Sequence, residues 1–486
     1  MPARDARSPV MAAAGPAAAG PPAAPRLAGA RVVVVGAARS GLALTRFLLE
    51  AGARVTLTDT RPAADLSTET AVLNAEGALL DLGGHREETL LAADLIAVSP
   101  GVPLAIAPLA AARRHGVRVV AEVEVASWFL RGTIVGITGS NGKSTTTSLA
   151  GHVLSAAGLD AVACGNLGTP LSELIATDTP ARHYVVELSS FQLEGIDTLR
   201  PRIAALLNLS PDHQDRYTDS AAYYDAKMRL FMNQGPADHA ILNADDPETR
   251  VRAGALRARR HHFSRVGSVD EGALIAHGAL VLRRGGRDTR VMAAGEVPLF
   301  GVHNLENVLA ALLAADLSGV PAAIAADAVR SFRGLPHRLE KVLDLDGVAW
   351  FNDSKATNVG ATAQSLRSFG GGVVLILGGR DKGGAFADLE PLLRGRVAHL
   401  VLMGQAGATI RRQIGDAVPI TMAADMSEAV TAARALARPG GVVLLAPACA
   451  SFDQYSGFEA RGDHFRRLVA ALAAGGADGA GAGGKG

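Results

Sequence analysis

The segment GITGSNGKSTTT at residues 136–147 constrains this chain more than any other stretch. It follows the apolar run Thr133–Val135 and leads into a helical pattern that opens at Ser144. Strand, glycine loop, Lys-Ser and helix in that order belong to parallel α/β layers that bind nucleotide phosphates. Backbone N–H groups of Gly139, Ser140, Asn141 and Gly142 can cradle phosphates, and Lys143 can reach the β/γ oxygens. The Ser144 hydroxyl, with Thr145 beside it, can serve Mg²⁺. The loop departs from GxxxxGK[ST] in one respect, since the first glycine would fall at Ile137. ATP binding is the expectation.

Such a layer recurs along the sequence. The 486 residues, at about 150 per domain, allow roughly three domains. Strand-like runs occur at Arg31–Val35, Val55–Asp59, Leu95–Ser99, Thr133–Thr138, Tyr184–Glu187, Ile203–Leu209, Val373–Leu377, His399–Met403 and Val442–Ala446. Ala/Leu-rich helical patterns lie between many of them, as at Leu42–Glu50, Thr145–Ala157, Leu305–Leu313 and Glu428–Ala437. Boundaries are expected near Ser127–Arg131 and at Arg333–His337, where Gly334 and Pro336 punctuate the chain. Around Val266–Val297 short apolar runs alternate with Gly and Arg, the pattern of a small antiparallel insertion.

Composition excludes several alternatives. Forty-eight basic against 47 acidic side chains leave a net charge of +1, so no general attraction to nucleic acid or anionic membranes exists. Aromatics at 4% offer little base-stacking surface. Two cysteines, Cys164 and Cys449, build no disulfide framework and fit a reducing cytoplasm. No run of about 20 strongly apolar residues is present to insert into a membrane. Residues 1–26 are Ala, Pro and Gly with scattered Arg, read as a disordered leader or an early assigned start, and Gly475–Gly486 reads as a similar tail.

In the first unit VVVVGAARSG places a turn, Gly36 to Gly41, after a buried strand, and Asp59 ends the next strand. That is the setting of a dinucleotide fingerprint, but Ala38 stands where a glycine would let backbone approach a pyrophosphate. An NAD role and a plain strand–helix turn stay open beside a loop for some other nucleotide or sugar phosphate, which is the preferred reading. Asp59-Thr60-Arg61 and Ser99-Pro100-Gly101 end strands at the same crevice, where Arg61 can pair with phosphate oxygens.

The phosphate loop needs an acid near its metal. Glu187 closes the apolar run Tyr184-Val185-Val186, and a carboxylate there is costly unless it meets a cation. Ser210-Pro211-Asp212-His213-Gln214-Asp215 follows another apolar strand, which makes His213 a metal or substrate contact or else an ordinary loop histidine. In the helical stretch Ala221–Phe231, Lys227 has Tyr223, Tyr224, Leu230 and Phe231 one turn away and no acid among them. From spacing alone it is either a snorkelling lysine or one whose lowered pKa lets the neutral amine take up CO₂ as a carbamate.

Taken together, TGSNGKST, VELSSFQLE (186–194), SPDHQDRY, GVHNLENVLAAL (301–312), LPHRLE, NDSKATN (352–358) and APACASFDQYSGFEARGDHF (446–465) resemble the Mur ligase family of cell-wall synthesis. The resemblance is greatest to its D-glutamate-adding members and spans roughly residues 30–470. It implies an α/β fold of three domains, Rossmann-like, P-loop ATPase-like with a parallel sheet, and Rossmann-like. They would hold UDP-sugar (28–129), ATP (130–334) and amino acid (335–472), between a leader (1–27) and a tail (473–486). The implied enzyme is a cytoplasmic monomer that adds D-glutamate to UDP-N-acetylmuramoyl-L-alanine through an acyl phosphate, using ATP and two Mg²⁺ ions. A carboxylate is a poor electrophile, and phosphorylation supplies its leaving group.

The resemblance also assigns residues. Lys143 corresponds to the phosphate-binding lysine, Ser144 and Glu187 to ligands of one Mg²⁺, and His213 with an N6-carboxylated Lys227 to the second metal site. Ser40, Thr60, Arg61, Ser99 and Gly101 match the uracil-nucleotide contacts, and Asn166 in CGNLG (164–168) matches a diphospho-sugar contact or, more plainly, a turn residue. Asn304 and Asn307 lie one helical turn apart and can read adenine, or cap the helix. Arg338 and Asp353 match further ATP contacts, and closing the third domain would complete that site. Lys355, Thr357, Lys382, Ser451, Phe452 and Phe458 match the D-glutamate pocket, and Cys449 reads as a small buried filler.

Three rivals remain. Other members of the family add L-alanine, a dipeptide or a diamino acid, and the meso-diaminopimelate enzymes carry a DNPR motif that this sequence lacks. An NAD-dependent oxidoreductase would rest on Gly36–Gly41 alone. A non-catalytic regulator would be expected to have lost some of Lys143, Glu187, His213 and Lys227, and all four are present.

Overall fold

The computed structural model describes residues 26–66, 68–212 and 216–479, so His213 and most of the leader lie outside the described residues. These residues form two compact units. One holds the chain up to Ala273 with short returns at 283–288 and 312–321, and the other holds 274–282, 289–311 and the chain from Ala322 onward.

The first unit contains two parallel sheets. Strands β1 (Arg31–Val35), β2 (Arg54–Asp59), β3 (Leu79–Leu82), β4 (Leu95–Val98) and β5 (Arg118–Ala121) take the order β3-β2-β1-β4-β5. Parallel strands need covering on both faces, which is why β1 is a run of four valines. Side chains alternate across it: Val32 and Val34 enter one core with Leu44 and Leu57, while Val33 and Val35 enter another with Ile96 and Leu109. Strand order reverses between β1 and β4, and a ligand crevice forms at the carboxyl ends on either side of such a reversal.

The parallel part of the second sheet comprises β6 (Thr133–Thr138), β7 (Ala161–Gly165), β8 (His183–Glu187), β9 (Ile203–Leu206), β10 (His239–Asn243) and β11 (Arg259–Ser264), with β6 paired in parallel to both β8 and β9. Two local expectations are corrected. The helix after the phosphate loop opens at Lys143, capped by Gly142, instead of at Ser144. Strand β9 stops at Leu206 although the apolar run continues to Leu209, because the backbone there turns to serve the phosphate loop while Leu207 and Leu209 stay buried. The chain at the boundary expected near Ser127–Arg131 is not an exposed tether, since Trp128 and Leu130 are buried. Leu27, counted with the leader above, packs in the first core.

The insertion expected at 266–297 is present as β12 (Gly272–Ala276), β13 (Ala279–Arg284) and β14 (Arg287–Ala293). Two-residue turns join them, with positive φ at His277 (49°), Gly278 (71°), Gly285 (54°) and Gly286 (72°), the mirror-image geometry that matches strand twist.

In the second unit β15 (Glu340–Leu345) pairs antiparallel with β16 (Val348–Asn352), and β17 (Val373–Gly378), β18 (Val397–Met403), β19 (Ile420–Met422) and β20 (Val442–Leu445) complete the order β15-β16-β20-β17-β18-β19. The carboxyl ends of β16, β20 and β17 are adjacent, which gathers the segments 352–358, 446–452 and 379–384 at one edge. The last helix runs Phe458–Gly479, so regular backbone continues past residue 472, where composition sets the tail aside.

Candidate active site

The phosphate loop is built by β6 and braced by the turn after β9. Gly139 (φ 156°) and Gly142 (φ 84°) hold backbone conformations that other residues rarely adopt, and a Cβ on Gly139 would sit 3.0 Å from Leu207. Ser140 N donates to Asn208 O (2.9 Å), Asn141 N to Asn208 Oδ1 (2.8 Å), and Asn208 Nδ2 returns a bond to Asn141 O (3.1 Å). Sequence reasoning passed over Asn208; its signal was a polar amide interrupting a buried apolar run.

Two lysines meet at one carbonyl. Lys143 Nζ donates to Gly139 O (2.8 Å) and Ser140 O (3.0 Å), and Lys227 Nζ donates to the same Gly139 O at 2.9 Å. Lys227 rides the helix Ser220–Met228, capped by Asp219 on Ala222 N, and its ammonium lies 4.4 Å from the Tyr223 ring centre. At 1% exposure it does not snorkel. Burial pushes its pKa well down, Lys143 pushes it further, and Asp212 and Glu187 oppose them.

Glu187 ends β8 buried, as its sequence position implied. Its Oε1 accepts from Asn166 Nδ2 at 2.8 Å, and its Oε2 is buried with no hydrogen-bond partner among the described residues. Asn166, expected at the diphospho-sugar, thus holds Glu187, and its backbone N–H donates to Glu187 O (2.9 Å) as well. An orphaned carboxylate oxygen and the buried Ser144 in the first turn of the helix fit a hard cation.

In the first sheet's crevice Ser99 Oγ donates to Gly36 O at 3.0 Å, and a Cβ on Gly36 would come within 2.9 Å of Ser99. Ser99 therefore shapes the glycine loop from beneath. Arg61, expected to meet phosphate, instead turns its Nε and Nη2 to the two oxygens of Asp59, each at 2.9 Å. Asp59 also accepts from Ala37 N (2.7 Å), and Arg61 holds its carboxyl well below the usual range. Thr60 and Gly101 lie in the adjoining turns and Ser40 in the helix Arg39–Glu50, around a loop that an ion-paired Asp59 tethers rather than standing ready for a ribose.

The second unit gathers the remaining residues. Asn307 Nδ2 donates to Asn304 Oδ1 (2.8 Å) and Asn304 Nδ2 to Phe300 O (2.6 Å), so both amides do share a face and are bonded to each other, with one donor hydrogen of Asn304 left over. Arg338 lies between His337 (φ 63°) and Leu339 (φ 47°), a strained turn held by Asp353 Oδ1 accepting from Leu339 N at 3.1 Å. Asp353 Oδ2 accepts from the Ser365 hydroxyl, and burial raises the Asp353 carboxyl above its ordinary range. Lys355 Nζ stands 4.0 Å from the Phe458 ring centre, Ser451 is buried, and Phe452 and Lys382 are exposed. Thr357 N bonds Lys355 O (2.8 Å) in the same turn. Arg461 ties these segments together: its buried guanidinium donates to Ser354 O (2.8 Å), Cys449 O (3.2 Å) and Ala450 O (3.3 Å). It lies in the motif 446–465, where sequence reasoning took up Ser451, Phe452 and Phe458 and passed it over. Cys449 is buried and its thiol is pushed up to about 12 by burial, in keeping with a filler.

Three family signatures cover the chain: the Mur ligase MurD-like N-terminal domain at residues 30–121, the Mur ligase middle domain at 137–315, and the Mur ligase glutamate ligase domain at 337–449. A UDP-N-acetylmuramoylalanine–D-glutamate ligase of Citrifermentans bemidjiense is 46% identical over 441 residues, which are 91% of this chain and 97% of that protein. One of the same name from Anaeromyxobacter dehalogenans is 49% identical over 459 residues, 92% of this chain and 99% of its own. The chain belongs to the Mur ligase family. Solved structures share the Mur ligase fold at low identity. The UDP-N-acetylmuramate-alanine ligase MurC of Thermotoga maritima has TM-score 0.57 and 17% identity, covering 91% of this chain and all of that one (100%). The MurF ligase of Thermotoga maritima in complex with ADP has TM-score 0.55 and 16% identity, covering 92% and 96%. As a Mur ligase, this chain has three domains of that family, and the oxidoreductase reading of Gly36–Gly41 is set aside.

Proposed function

We propose that this Mur ligase joins D-glutamate to UDP-N-acetylmuramoyl-L-alanine at the expense of ATP, in the synthesis of peptidoglycan precursors. ATP phosphorylates the substrate carboxylate, and the amine of D-glutamate then attacks the acyl phosphate to give an amide and phosphate. The observation that carries this reading is the meeting of Lys143 and Lys227 at Gly139 O, inside a phosphate loop whose sheet also presents the orphaned Glu187 oxygen. Names borne by relatives at 44–49% identity supply the substrates.

Gly139–Thr145 would cradle the triphosphate, with Lys143 on its oxygens. Mg²⁺, when bound, neutralises charge on the transferred phosphoryl group. Ser144 and Glu187 would hold one ion, and His213 with Lys227 as a carbamate the other. The lowered pKa of a fully buried lysine favours the neutral amine that CO₂ requires. Asn304, Asn307, Arg338 and Asp353 are assigned to the rest of the nucleotide, and Lys355, Thr357, Lys382, Ser451, Phe452 and Phe458 to D-glutamate. The crevice with Ser40, Thr60, Arg61, Ser99 and Gly101 is assigned to the uracil nucleotide, in domains bounded at 28–129, 130–334 and 335–472. No described helix is long and apolar enough to cross a membrane. We assign the working form as a cytoplasmic monomer.

The test is phosphate release from ATP with UDP-N-acetylmuramoyl-L-alanine and a panel of D- and L-amino acids. Release confined to D-glutamate supports the assignment. Release with another amino acid, or none with D-glutamate, overturns it.

A further inference from the structure

We propose that Glu122 and Glu124 are positioning residues that lock the first sheet's crevice to the phosphate-loop sheet, so that both move as one body through the reaction cycle. The proposal rests on the reading of this unit as the UDP-sugar and ATP sites, and it adds a role for two buried acids that reading leaves unused.

Both residues lie on the helix Glu122–Ser127, directly after β5. This helix belongs to two cores at once. Val125 and Trp128 pack with Val32 of the first sheet and Leu44 of the helix covering it, whereas Val123 and Ala126 pack with Tyr184 and Val186 of the second. A helix with opposite faces in two cores cannot act as a flexible tether, because pivoting would expose one face to water.

The two carboxylates add direction to that contact. Glu124 is fully buried, and five donors converge on it: Thr198 N (2.7 Å), Thr198 Oγ1 (2.5 Å) and Trp128 Nε1 (2.8 Å) on Oε1, with Asp197 N (3.0 Å) and Leu199 N (2.9 Å) on Oε2. Three consecutive backbone N–H groups of the second sheet's domain are thus satisfied by one side chain from the first. Glu122 accepts from Ser172 N at 2.9 Å, just beyond the turn Cys164–Thr169 that carries Asn166. Ala121 N donates to Gly195 O at 2.8 Å, and a Cβ on Gly195 would sit 2.7 Å from that nitrogen, so the contact is close enough to require glycine. From the other side Arg39, in the first glycine loop, donates to Gly168 O in the Asn166 turn. The loop assigned to the uracil nucleotide and the Asn166 turn are therefore tied to each other, and through Asn166 to Glu187. Fixing their separation sets where the substrate carboxylate lies relative to Lys143.

The test uses the full chain with spin labels at two exposed positions, Val72→Cys and Val251→Cys, which report the separation of the two sheets. Cys164 and Cys449 are buried with raised thiol pKa values and escape labelling. The expected result is one narrow distance distribution, unchanged by UDP-N-acetylmuramoyl-L-alanine, by ATP analogue or by both. In Glu124→Gln the amide NH₂ would face donors only, and the distribution should broaden. KM for the UDP-substrate should rise by about tenfold, the factor for one lost charge-assisted hydrogen bond, while KM for D-glutamate stays within about twofold. A ligand-driven shift of several ångströms in the wild-type distribution overturns the lock, and needs no variant to fold. So does a folded Glu124→Gln protein with unaltered distances and KM values. A chain that ligates nothing would overturn the assigned function, yet the distances in the ligand-free protein would still decide on the lock.

Discussion

Asn166→Ala separates two roles that the same residue could play. In the structure its amide holds Glu187 Oε1 at 2.8 Å, and the other oxygen has no partner among the described residues. Removing the amide leaves a buried carboxylate with both oxygens short of side-chain donors, a loss of about 1.5–3 kcal/mol for a charge-assisted bond. The backbone bond from Asn166 N to Glu187 O (2.9 Å) survives, so the turn should persist and the protein should fold. If Glu187 holds a cation as proposed and that loss falls on it, the Mg²⁺ concentration for half-maximal rate should rise about 10–100-fold, the usual range for a residue that orients a metal ligand. The assay is initial phosphate release against Mg²⁺ at saturating substrates, with a parallel calorimetric titration of Mg²⁺. A superimposable Mg²⁺ curve together with a raised KM for the UDP-substrate would refute the reasoning and return Asn166 to sugar contact.

Lys227→Ala should lose turnover that short-chain carboxylates partly restore, since they can stand where the carbamate would; a complete absence of rescue, with an unmodified ammonium in a substrate-bound crystal structure, counts against it. Lys382→Ala should raise KM for D-glutamate with little change in KM for ATP, and an unchanged KM for D-glutamate refutes the assignment. Asp353 bears on stability. Burial raises its pKa in the folded state, so the folded chain keeps that proton to higher pH than the unfolded chain does. Its stabilising effect is present below the ordinary value of about 4 and fades as pH rises through the raised one. Asp353→Asn, whose amide can still bond Leu339 N and the Ser365 oxygen, should flatten that part of the melting-temperature profile; an unaltered slope sinks the idea.

Much of this was legible in the order of residues. Hydrophobic runs of four to seven residues placed nine strands close to where they occur, because a strand buried on both faces must be apolar throughout. The motif 139–144 located the phosphate loop, since close phosphate approach demands glycines and a following helix. Glu187 was singled out for the same kind of reason, since a carboxylate ending a buried strand is costly unless something meets it, and the structure buries it against the Asn166 amide. Where local pattern and tertiary need diverged, it failed by small margins, as at Leu206, where an apolar run continues past the strand to lie beneath a loop.

What the sequence could not decide is which distant group each functional side chain meets. Lys227 and Gly139 are 88 residues apart, and only the packed fold brings an amine on the helix Ser220–Met228 to a carbonyl already used by Lys143. Arg61 was free, on paper, to take a phosphate, and folding spends it on Asp59. Glu122 and Glu124 carry no motif, and Arg461 does not stand out within the motif 446–465 that contains it; their importance comes from burial, which makes each unmet donor or acceptor costly and so selects the few arrangements that satisfy them all. Residue types and spacings are local properties and determine the elements and the chemistry available. Pairings across the sheets are global, and the packed structure alone settles them.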